Sequence, residues 1–262
     1  MSQKRHAAIF DRIGRDKSEI ATLTWDYPPG YVVPLHFHNR DQLVYGTQGV
    51  MTVRTSEGAW VVPAHRGVWI PAGIPHTITM SGKVAMRTLY LEPRLMSVKD
   101  LPRKCCVINV SPLLRELILH ACTLPGLKKK ISWQRHLIEI ILDQLRVIQR
   151  VPLQLPNPSD ARARKIAAML LANPGDRRTL AHLCRDAGAS KRTIERLFLE
   201  DTGTTFGKWR QQLRLMEAMR FLAEGAKVTH AALEAGYSTQ SAFISMFRKS
   251  LGTTPRSYFN NQ

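Results

Sequence analysis

The chain has 262 residues, which is enough for two domains that each bury a core of their own. Its formal net charge of +18 indicates a polyanionic partner, although the basic residues are spread over both halves of the chain and do not locate a binding surface. The sequence has no apolar run of membrane-spanning length and no signal-peptide pattern, and its four cysteines form no disulfide framework, so we expect a cytoplasmic protein with no membrane partner.

Residues 20–92 are predicted to form short β-strands separated by turns. Apolar and polar side chains alternate in the segment Val50-Met-Thr-Val-Arg-Thr55 and again over residues 77–80, while glycine and proline mark the breaks between segments. Many short strands at even spacing are typical of a β-barrel or a β-sandwich. The first part of the chain is therefore predicted to be one of these two all-β architectures.

Two clusters of glycine, proline and histidine lie within this region. They are Gly30-x5-His36-x-His38-x3-Gln42-x6-Gly49 and Pro71-x-Gly73-x2-His76. This pattern resembles the two motifs of the cupin fold, a small double-sheet β-barrel; the first motif has the full spacing and the second matches in part. Metal-binding cupins usually place three histidines and a glutamate at these positions. The resemblance therefore implies a metal site at His36, His38 and His76, with Gln42 in the place of the glutamate.

The chemistry of these side chains leaves two interpretations open. His36 and His38 are two residues apart, so on a strand both would enter the barrel from the same face. Three neutral imidazoles suit a divalent transition metal such as Zn, Ni, Cu or Fe. Gln42 offers a neutral carbonyl instead of a carboxylate, which weakens a site for a hard cation. The alternative is a metal-free pocket whose histidines hydrogen-bond a small-molecule effector or one another.

After residue 92 the pattern changes from strands to helices. Ser111-Pro112 is predicted to cap a first helix and to open its apolar stripe. A second helix is predicted from Trp133 to Gln149, and its apolar stripe lies close to the a and d positions of heptads: Leu137, Ile140, Ile141, Gln144, Leu145 and Ile148. This stripe either packs on the barrel or pairs with its twin in a second subunit, and we favour a homodimer. Three prolines then indicate a stiff linker, poor in core residues, over residues 151–160.

A helix-turn-helix pattern occurs twice between Thr179 and Phe259. The matching positions are Gly188 and Gly236, Ser190 and Ser238, and, after an offset of one residue, Phe198 and Phe247. Glycine permits the tight turn between two helices, and serine caps the helix that follows. The segment between the copies, Thr205 to Glu224, is predicted to be a helix about 30 Å long. That length is close to the roughly 34 Å between successive major-groove faces of one DNA duplex.

The second copy, residues 236–258, carries a sequence that resembles the signature of AraC/XylS-family transcription regulators, and the resemblance covers about the last hundred residues. It implies a seven-helix DNA-binding domain in which a long helix joins two helix-turn-helix units. We predict DNA contacts on the two recognition helices at Lys191, Arg192, Glu195, Arg196, Gln240, Ser241, Ser245 and Arg248. Several relatives carry arginine at the position of Ser245, which implies weaker base discrimination by the second unit.

Together these patterns predict an α+β protein of two domains. A cupin-like sensor or scaffold barrel occupies residues 1–95, a helical dimerisation region 96–150, the linker 151–160, and an all-α domain with two helix-turn-helix units 161–262. We predict a transcription regulator, not an enzyme, that binds double-stranded promoter DNA as a homodimer and responds to an effector in the barrel. RNA polymerase is a partner if the protein activates, and the target is an adjacent transporter, exporter or metabolic gene.

The alternative function is a cupin metalloenzyme, an oxygenase or isomerase, fused to a DNA-binding module. Catalysis of that kind usually needs a charged ligand or a base beside the metal. Gln42 stands at the position of the charged ligand, which weighs against an enzyme.

Overall fold

The computed structural model describes residue 9 and residues 11–95, 102–147, 150–151 and 153–260. By their contacts the residues fall into two compact units. The first comprises the chain up to Thr55 together with Trp60–Leu153, and the second comprises Ser56–Ala59 and the chain from Gln154 onward. Strands dominate the first unit and helices the second, so the predicted α+β class with two domains is confirmed.

The first unit is built from two antiparallel sheets. Its strands are β1 (Ile20–Tyr27), β2 (Val32–His36), β3 (Asp41–Gly46), β4 (Val50–Thr55), β5 (Gly58–Pro63), β6 (Arg66–Ile70), β7 (His76–Ser81), β8 (Val84–Leu91), β9 (Cys106–Asn109), β10 (Gly126–Leu127) and β11 (Arg150–Val151). One sheet has the order β10-β1-β8-β3-β6-β9-β11, and in the other β5, β4, β7 and β2 follow one another. The β-rich architecture predicted from the alternating pattern is therefore present.

Two helices cover one sheet of this unit. Helix α1 (Pro112–Ala121) begins as predicted, because the Ser111 side chain accepts a hydrogen bond from the backbone N–H of Leu114 at 3.1 Å. Helix α2 (Ser132–Arg146) follows. Both bury apolar side chains in one cluster with the strands, and the largest contributors from the sheet are Tyr45 and Trp69. This cluster is the main core between sheet and helices.

The apolar pattern of α2 contains two stripes, where the sequence predicted one. Ile141 is fully buried in the core of its own chain, whereas its neighbour Ile140 is 45% exposed. The outer stripe is at alternating spacings of four and three residues: Trp133, Leu137, Ile140, Gln144 and Val147. Trp133, Ile140 and Val147 are exposed, whereas Leu137 and Gln144 are half-buried and Leu137 also packs against the core cluster. The prediction that Ile141 lies in a seam between subunits is therefore wrong, and the predicted positions Ile148 and Gln149 lie outside the described residues.

The prediction of a linker poor in core residues is wrong for the first half of segment 151–160. Leu153 and Leu155 are only 1% and 2% exposed, and Val151 belongs to β11, which pairs with β9. In the second unit, β12 (Gln154–Pro156) is followed by Asn157, whose backbone N–H donates to the carbonyl of Glu57 at 3.0 Å. Alternating apolar residues thus fold as strand despite the nearby prolines; Pro152 lies outside the described residues.

The second unit contains, within its described residues, the seven helices that the family resemblance implied. They are α3 (Ala161–Ala172), α4 (Leu180–Ala187), α5 (Lys191–Thr202), α6 (Phe206–Ala223), α7 (Val228–Glu234), α8 (Gln240–Leu251) and α9 (Pro255–Asn260). The central helix α6 is capped by Thr205, and its 18 residues span about 27 Å. Phe198 and Trp209 fill the core on one side of α6 with their rings 5.3 Å apart, and Phe243 and Phe247 fill the core of the second helix-turn-helix.

Candidate DNA-reading surface and histidine cluster

The first helix-turn-helix consists of α4, a turn and α5. Gly188 ends α4 in the left-handed conformation, at φ 64°, which an L-residue with a side chain rarely adopts. The hydroxyl of Ser190 then accepts a hydrogen bond from the backbone N–H of Thr193 at 3.1 Å and so begins α5. Both local predictions for this unit are confirmed.

The second helix-turn-helix consists of α7, a turn and α8, and its cap is one residue later than predicted. The side chain of Thr239, not that of Ser238, accepts from the backbone N–H of Ala242 at 3.1 Å. Thr239 has the extended backbone that a β-branched residue favours, with φ −144° and ψ 155°. Phe247 therefore lies as far beyond its cap as Phe198 lies beyond Ser190, which explains the offset of one residue between the two copies.

One face of α5 is polar, charged and exposed. Ile194 and Phe198 are fully buried, while the predicted DNA-contact residues Lys191, Arg192, Glu195 and Arg196 are all exposed. Within α5, Lys191 Nζ lies 3.7 Å from Glu195 Oε1, and Arg196 Nη1 lies 2.7 Å from Glu200 Oε2. Exposed pairs of this kind contribute little to stability, so the cations can exchange their partners at small cost.

Helix α8 presents a similar face with fewer charges. The predicted contact residues Gln240, Ser241, Ser245 and Arg248 are all exposed, and a shallow cleft of about 520 Å³ runs past the last three of them to Lys249. Gln240 is held from the preceding helix, because the hydroxyl of Thr229 donates to its Oε1 at 2.7 Å. The sequence reading missed Thr229, since nothing in a local pattern pairs a residue of α7 with one of α8.

The three predicted histidines lie together in the first unit. His36 is opposite His76 in the pairing of β2 with β7, and His38 follows the end of β2. The ring centroids of His36 and His76 are 4.2 Å apart, and those of His38 and His76 are 5.2 Å apart. Each histidine offers one ring nitrogen, and these nitrogens all lie within 4.8 Å of one another. The sequence spacing thus identified residues that meet in three dimensions.

Backbone carbonyls fix the tautomers of all three rings. The Nδ1 atoms of His36, His38 and His76 lie 2.8, 2.7 and 2.8 Å from the carbonyl oxygens of residues 34, 40 and 74. Because a carbonyl oxygen only accepts hydrogen bonds, each Nδ1 carries the proton and donates. In the neutral rings, the lone pairs are therefore on the Nε2 atoms, which is the arrangement found in histidines that bind metals.

Burial keeps the rings of His38 and His76 neutral. It lowers the pKa of His76 to about 3, with the neighbouring His36 adding a smaller effect, and it also lowers the pKa of His38. His76 is fully buried, and among the described residues its Nε2 atom has no hydrogen-bond partner. A buried lone pair without a partner is costly, so the site favours a ligand that accepts electron density.

Gln42 is completely buried beside the cluster. Its Oε1 lies 2.8 Å from His38 Nε2, and its amide nitrogen donates to the hydroxyl of Tyr90 at 3.1 Å. Since the His38 proton is on Nδ1, the lone pair of His38 Nε2 faces a lone pair of Gln42 Oε1 across 2.8 Å. Either a cation lies against both atoms, or the amide turns over so that its nitrogen donates to His38 and its oxygen accepts from Tyr90. The sequence reading missed Tyr90, which β8 brings in from outside both motifs.

Asp41 is close to the cluster and does not belong to it. Its carboxylate accepts a hydrogen bond from the backbone N–H of Ala72 at 2.9 Å and so holds the turn that precedes His76. Burial raises the pKa of this carboxyl, while the bond from Ala72 and the proximity of His38 oppose that rise. The metal-ligand group found among the described residues contains the three histidines and no carboxylate.

Comparisons with known proteins match both units. The family model "Helix-turn-helix domain" matches residues 183–261, and the model "AraC-like ligand binding domain" matches residues 19–119. The HTH-type transcriptional regulator NimR of Escherichia coli is 33% identical over 225 residues, which cover 86% of this chain and 81% of the relative. The HTH-type transcriptional activator RhaR of Mannheimia succiniciproducens is 24% identical over 93% of this chain and 92% of its own.

A solved structure of ToxT from Vibrio cholerae is 11% identical, covers 93% of this chain and 98% of its own, and has a TM-score of 0.39. Among the helices that the structure describes, none has the length and apolar character needed to cross a membrane.

Proposed function

This chain belongs to the AraC family of helix-turn-helix transcriptional regulators, and we propose that it reads its promoter through the exposed faces of α5 and α8. The observation that carries this proposal is the pair of capped recognition helices on either side of α6, each with a polar outer face. In the major groove, arginine can donate two hydrogen bonds to guanine and glutamine can form two hydrogen bonds with adenine, while serine can hydrogen-bond several bases. We infer that Arg192 and Arg196 supply most of the discrimination and that Gln240 supplies one further position.

Alanine substitution at Arg192 and Arg196 tests this proposal. Loss of one bidentate arginine–guanine contact costs about 1–3 kcal/mol of discrimination, so Arg196→Ala should weaken operator binding and flatten the preference at one or two base positions. Arg164→Ala removes the same charge from an exposed position on α3 and serves as the control. Binding is measured by fluorescence anisotropy at one fixed salt concentration. Wild-type affinity and selectivity in both alanine variants would show that the assigned face is wrong.

We further propose that the protein acts as a homodimer joined through the outer stripe of α2. Trp133, Ile140 and Val147 in this stripe are 51%, 45% and 73% exposed, and Leu113 on α1 is 52% exposed. An apolar stripe at alternating spacings of three and four residues is the pattern by which two helices pair. Large apolar side chains that are exposed along one stripe of a helix favour an interaction site there.

For the barrel we propose a transition-metal site, with Zn, Ni, Cu or Fe as the candidates. The residues fit such an ion: three tautomers are fixed by carbonyls, His76 Nε2 lacks a partner among the described residues, and two lone pairs face each other between His38 and Gln42. His36, His38, His76 and the Gln42 oxygen would hold the metal. Bound there, the metal would supply a Lewis-acid contact for an oxygen- or nitrogen-bearing effector. A metal-free pocket that hydrogen-bonds an organic effector is the competing proposal.

A sensing role for the barrel accounts for these features better than catalysis does. The neutral Gln42 stands where a charged ligand would support metal chemistry, and Asp41 is engaged with the backbone of Ala72. We therefore propose effector-dependent control of transcription in the cytoplasm, with RNA polymerase as a partner where the output is activation. An adjacent transporter, exporter or metabolic gene is the proposed target.

A further inference from the structure

A cavity of about 320 Å³ lies within the second unit, between helix α6 and the second helix-turn-helix. Helix α6 lines it with Arg210 and Arg214, which are one helical turn apart. Tyr237 lines it from the turn between α7 and α8, and Met246 on α8 closes another side. The walls of the cavity therefore come from the central helix and from the second helix-turn-helix.

The two guanidinium groups have backbone oxygens, not carboxylates, as their hydrogen-bond acceptors. Arg210 Nη1 donates to the carbonyl of Arg178 at 2.7 Å, Arg210 Nη2 donates to the carbonyl of Asp176, and Arg214 Nη2 donates to that same carbonyl at 3.0 Å. The Asp176 carboxylate is engaged by Arg178, whose Nη2 lies 2.7 Å away. Among the described residues, no carboxylate forms an ion pair with Arg210 or Arg214. Two positive charges thus share one cavity wall without a counter-charge in contact.

Three hydrogen-bond donors that belong to residues lining this cavity have no acceptor among the described residues. They are the Nε–H groups of Arg210 and Arg214 and the hydroxyl of Tyr237, and all three atoms are buried. Burial raises the pKa of Tyr237 well above its ordinary value, so the hydroxyl keeps its proton. Burial also lowers the pKa of both arginines, and the proximity of Arg214 lowers that of Arg210 further. The site therefore contains donors and positive charge in excess.

We propose that this cavity is an oxyanion site that takes a phosphate group, with Arg210 and Arg214 as charged donors and the Tyr237 hydroxyl as a neutral donor. A phosphate group carries several acceptor oxygens and negative charge, which complement three donors and two cations, and charge-assisted hydrogen bonds to guanidinium are strong. The group comes either from the DNA backbone or from a free phosphate-bearing molecule. The proposal is independent of base reading by α5 and α8 and of the histidine cluster.

The test is thermal unfolding of the full-length protein with Tyr237→Phe. This change keeps the ring, whose centroid lies 5.2 Å from that of Phe243, and removes only the hydroxyl. In chloride buffer the variant should unfold at the same temperature as the wild type or at a higher one. The substitution removes a buried hydroxyl that has no hydrogen-bond acceptor among the described residues. In inorganic phosphate at equal ionic strength the wild type should gain thermal stability, and the variant should gain less than half as much. Tyr258→Phe makes the same change on α9, outside the cavity, and should leave the gain intact.

Two results would overturn the proposal. Equal gains in the wild type and in Tyr237→Phe would show an adventitious ion only, and no gain in the wild type would show that the cavity holds no phosphate. A second measurement identifies the source, using a random-sequence duplex at constant ionic strength. If the DNA backbone supplies the group, inorganic phosphate displaces the duplex and Tyr237→Phe weakens binding to every sequence. If a free molecule supplies it, phosphate binds without displacing the duplex and the variant binds DNA like the wild type.

Discussion

Ile140 and Ile141 are neighbours in the sequence of α2 but have opposite surroundings. Ile140 is 45% exposed, whereas Ile141 is completely buried. An aspartate at each position should therefore have a different effect. We expect Ile140→Asp to convert a dimer into a folded monomer. We expect Ile141→Asp to destabilise the first unit whatever the oligomeric state, because the charge enters the apolar cluster that includes Leu114, Ile118 and Trp69.

The magnitudes follow from burial. Truncating a buried isoleucine costs about 2–5 kcal/mol, and an unpaired carboxylate in the same place costs more, which is a large part of a domain's stability of roughly 5–15 kcal/mol. In a monomer, a substitution at the exposed Ile140 should change stability by no more than about 0.5 kcal/mol. In a dimer two copies of Ile140 become buried, and losing about 1.5 kcal/mol from each weakens association roughly 100-fold or more.

Sedimentation velocity at several micromolar concentrations and thermal unfolding separate these outcomes. Ile140→Leu keeps an apolar side chain at the seam and serves as the control that should remain dimeric. The outer stripe is not the interface if Ile140→Asp dimerises with wild-type affinity. A wild-type protein that sediments as a monomer at tens of micromolar would refute the dimer itself.

Three further predictions concern the two candidate sites and the caps. Gln42→Glu should raise zinc affinity by restoring a charge to the cluster; if equilibrium dialysis shows no change and the untreated protein carries no stoichiometric metal, the pocket belongs to an organic effector. Thr229→Val should flatten the base preference at the single position read by Gln240, and it should have no further effect in a Gln240→Ala background, as a binding-site selection experiment would show. Thr239→Ala should lower the stability of the second unit by about 1 kcal/mol, whereas Ser238→Ala should stay within about 0.5 kcal/mol, and denaturant titration compares the two.

Local signals explain what could be predicted from the sequence. Gly188, Ser190 and the apolar spacing of α5 lie within a few residues of one another, so turn, cap and buried face are all encoded locally. The spacing of the cupin motifs likewise identified three histidines that lie together in the structure, because cross-strand pairing of β2 with β7 places His36 opposite His76. The error at Ser238 was also local: two adjacent residues can both cap a helix, and only backbone geometry selects Thr239.

What could not be predicted depends on contacts between distant residues. Gln42 donates a hydrogen bond to Tyr90, which is 48 residues away in the sequence, and Arg214 donates to the carbonyl of Asp176, which is 38 residues away in the sequence. No periodicity reports such pairs. The sequence pattern predicts one apolar stripe on α2 where the structure has two. A heptad pattern has the same spacing whether the helix packs on a sheet of its own chain or on a second subunit, so the spacing does not separate the two stripes. The buried leucines at 153 and 155 were missed because prolines outweighed a short alternation of apolar residues.

The length of α6 sets a limit on the DNA that this protein can read. A helix of 18 residues is a stiff spacer of about 27 Å, less than the roughly 34 Å of one full helical turn of DNA. If both recognition helices bind one duplex, inserting about five base pairs between their subsites turns one subsite to the far side of the duplex, since a turn takes about 10–10.5 base pairs. Binding would then fall to the level of a single subsite. Operators for this protein should therefore tolerate base changes more readily than insertions.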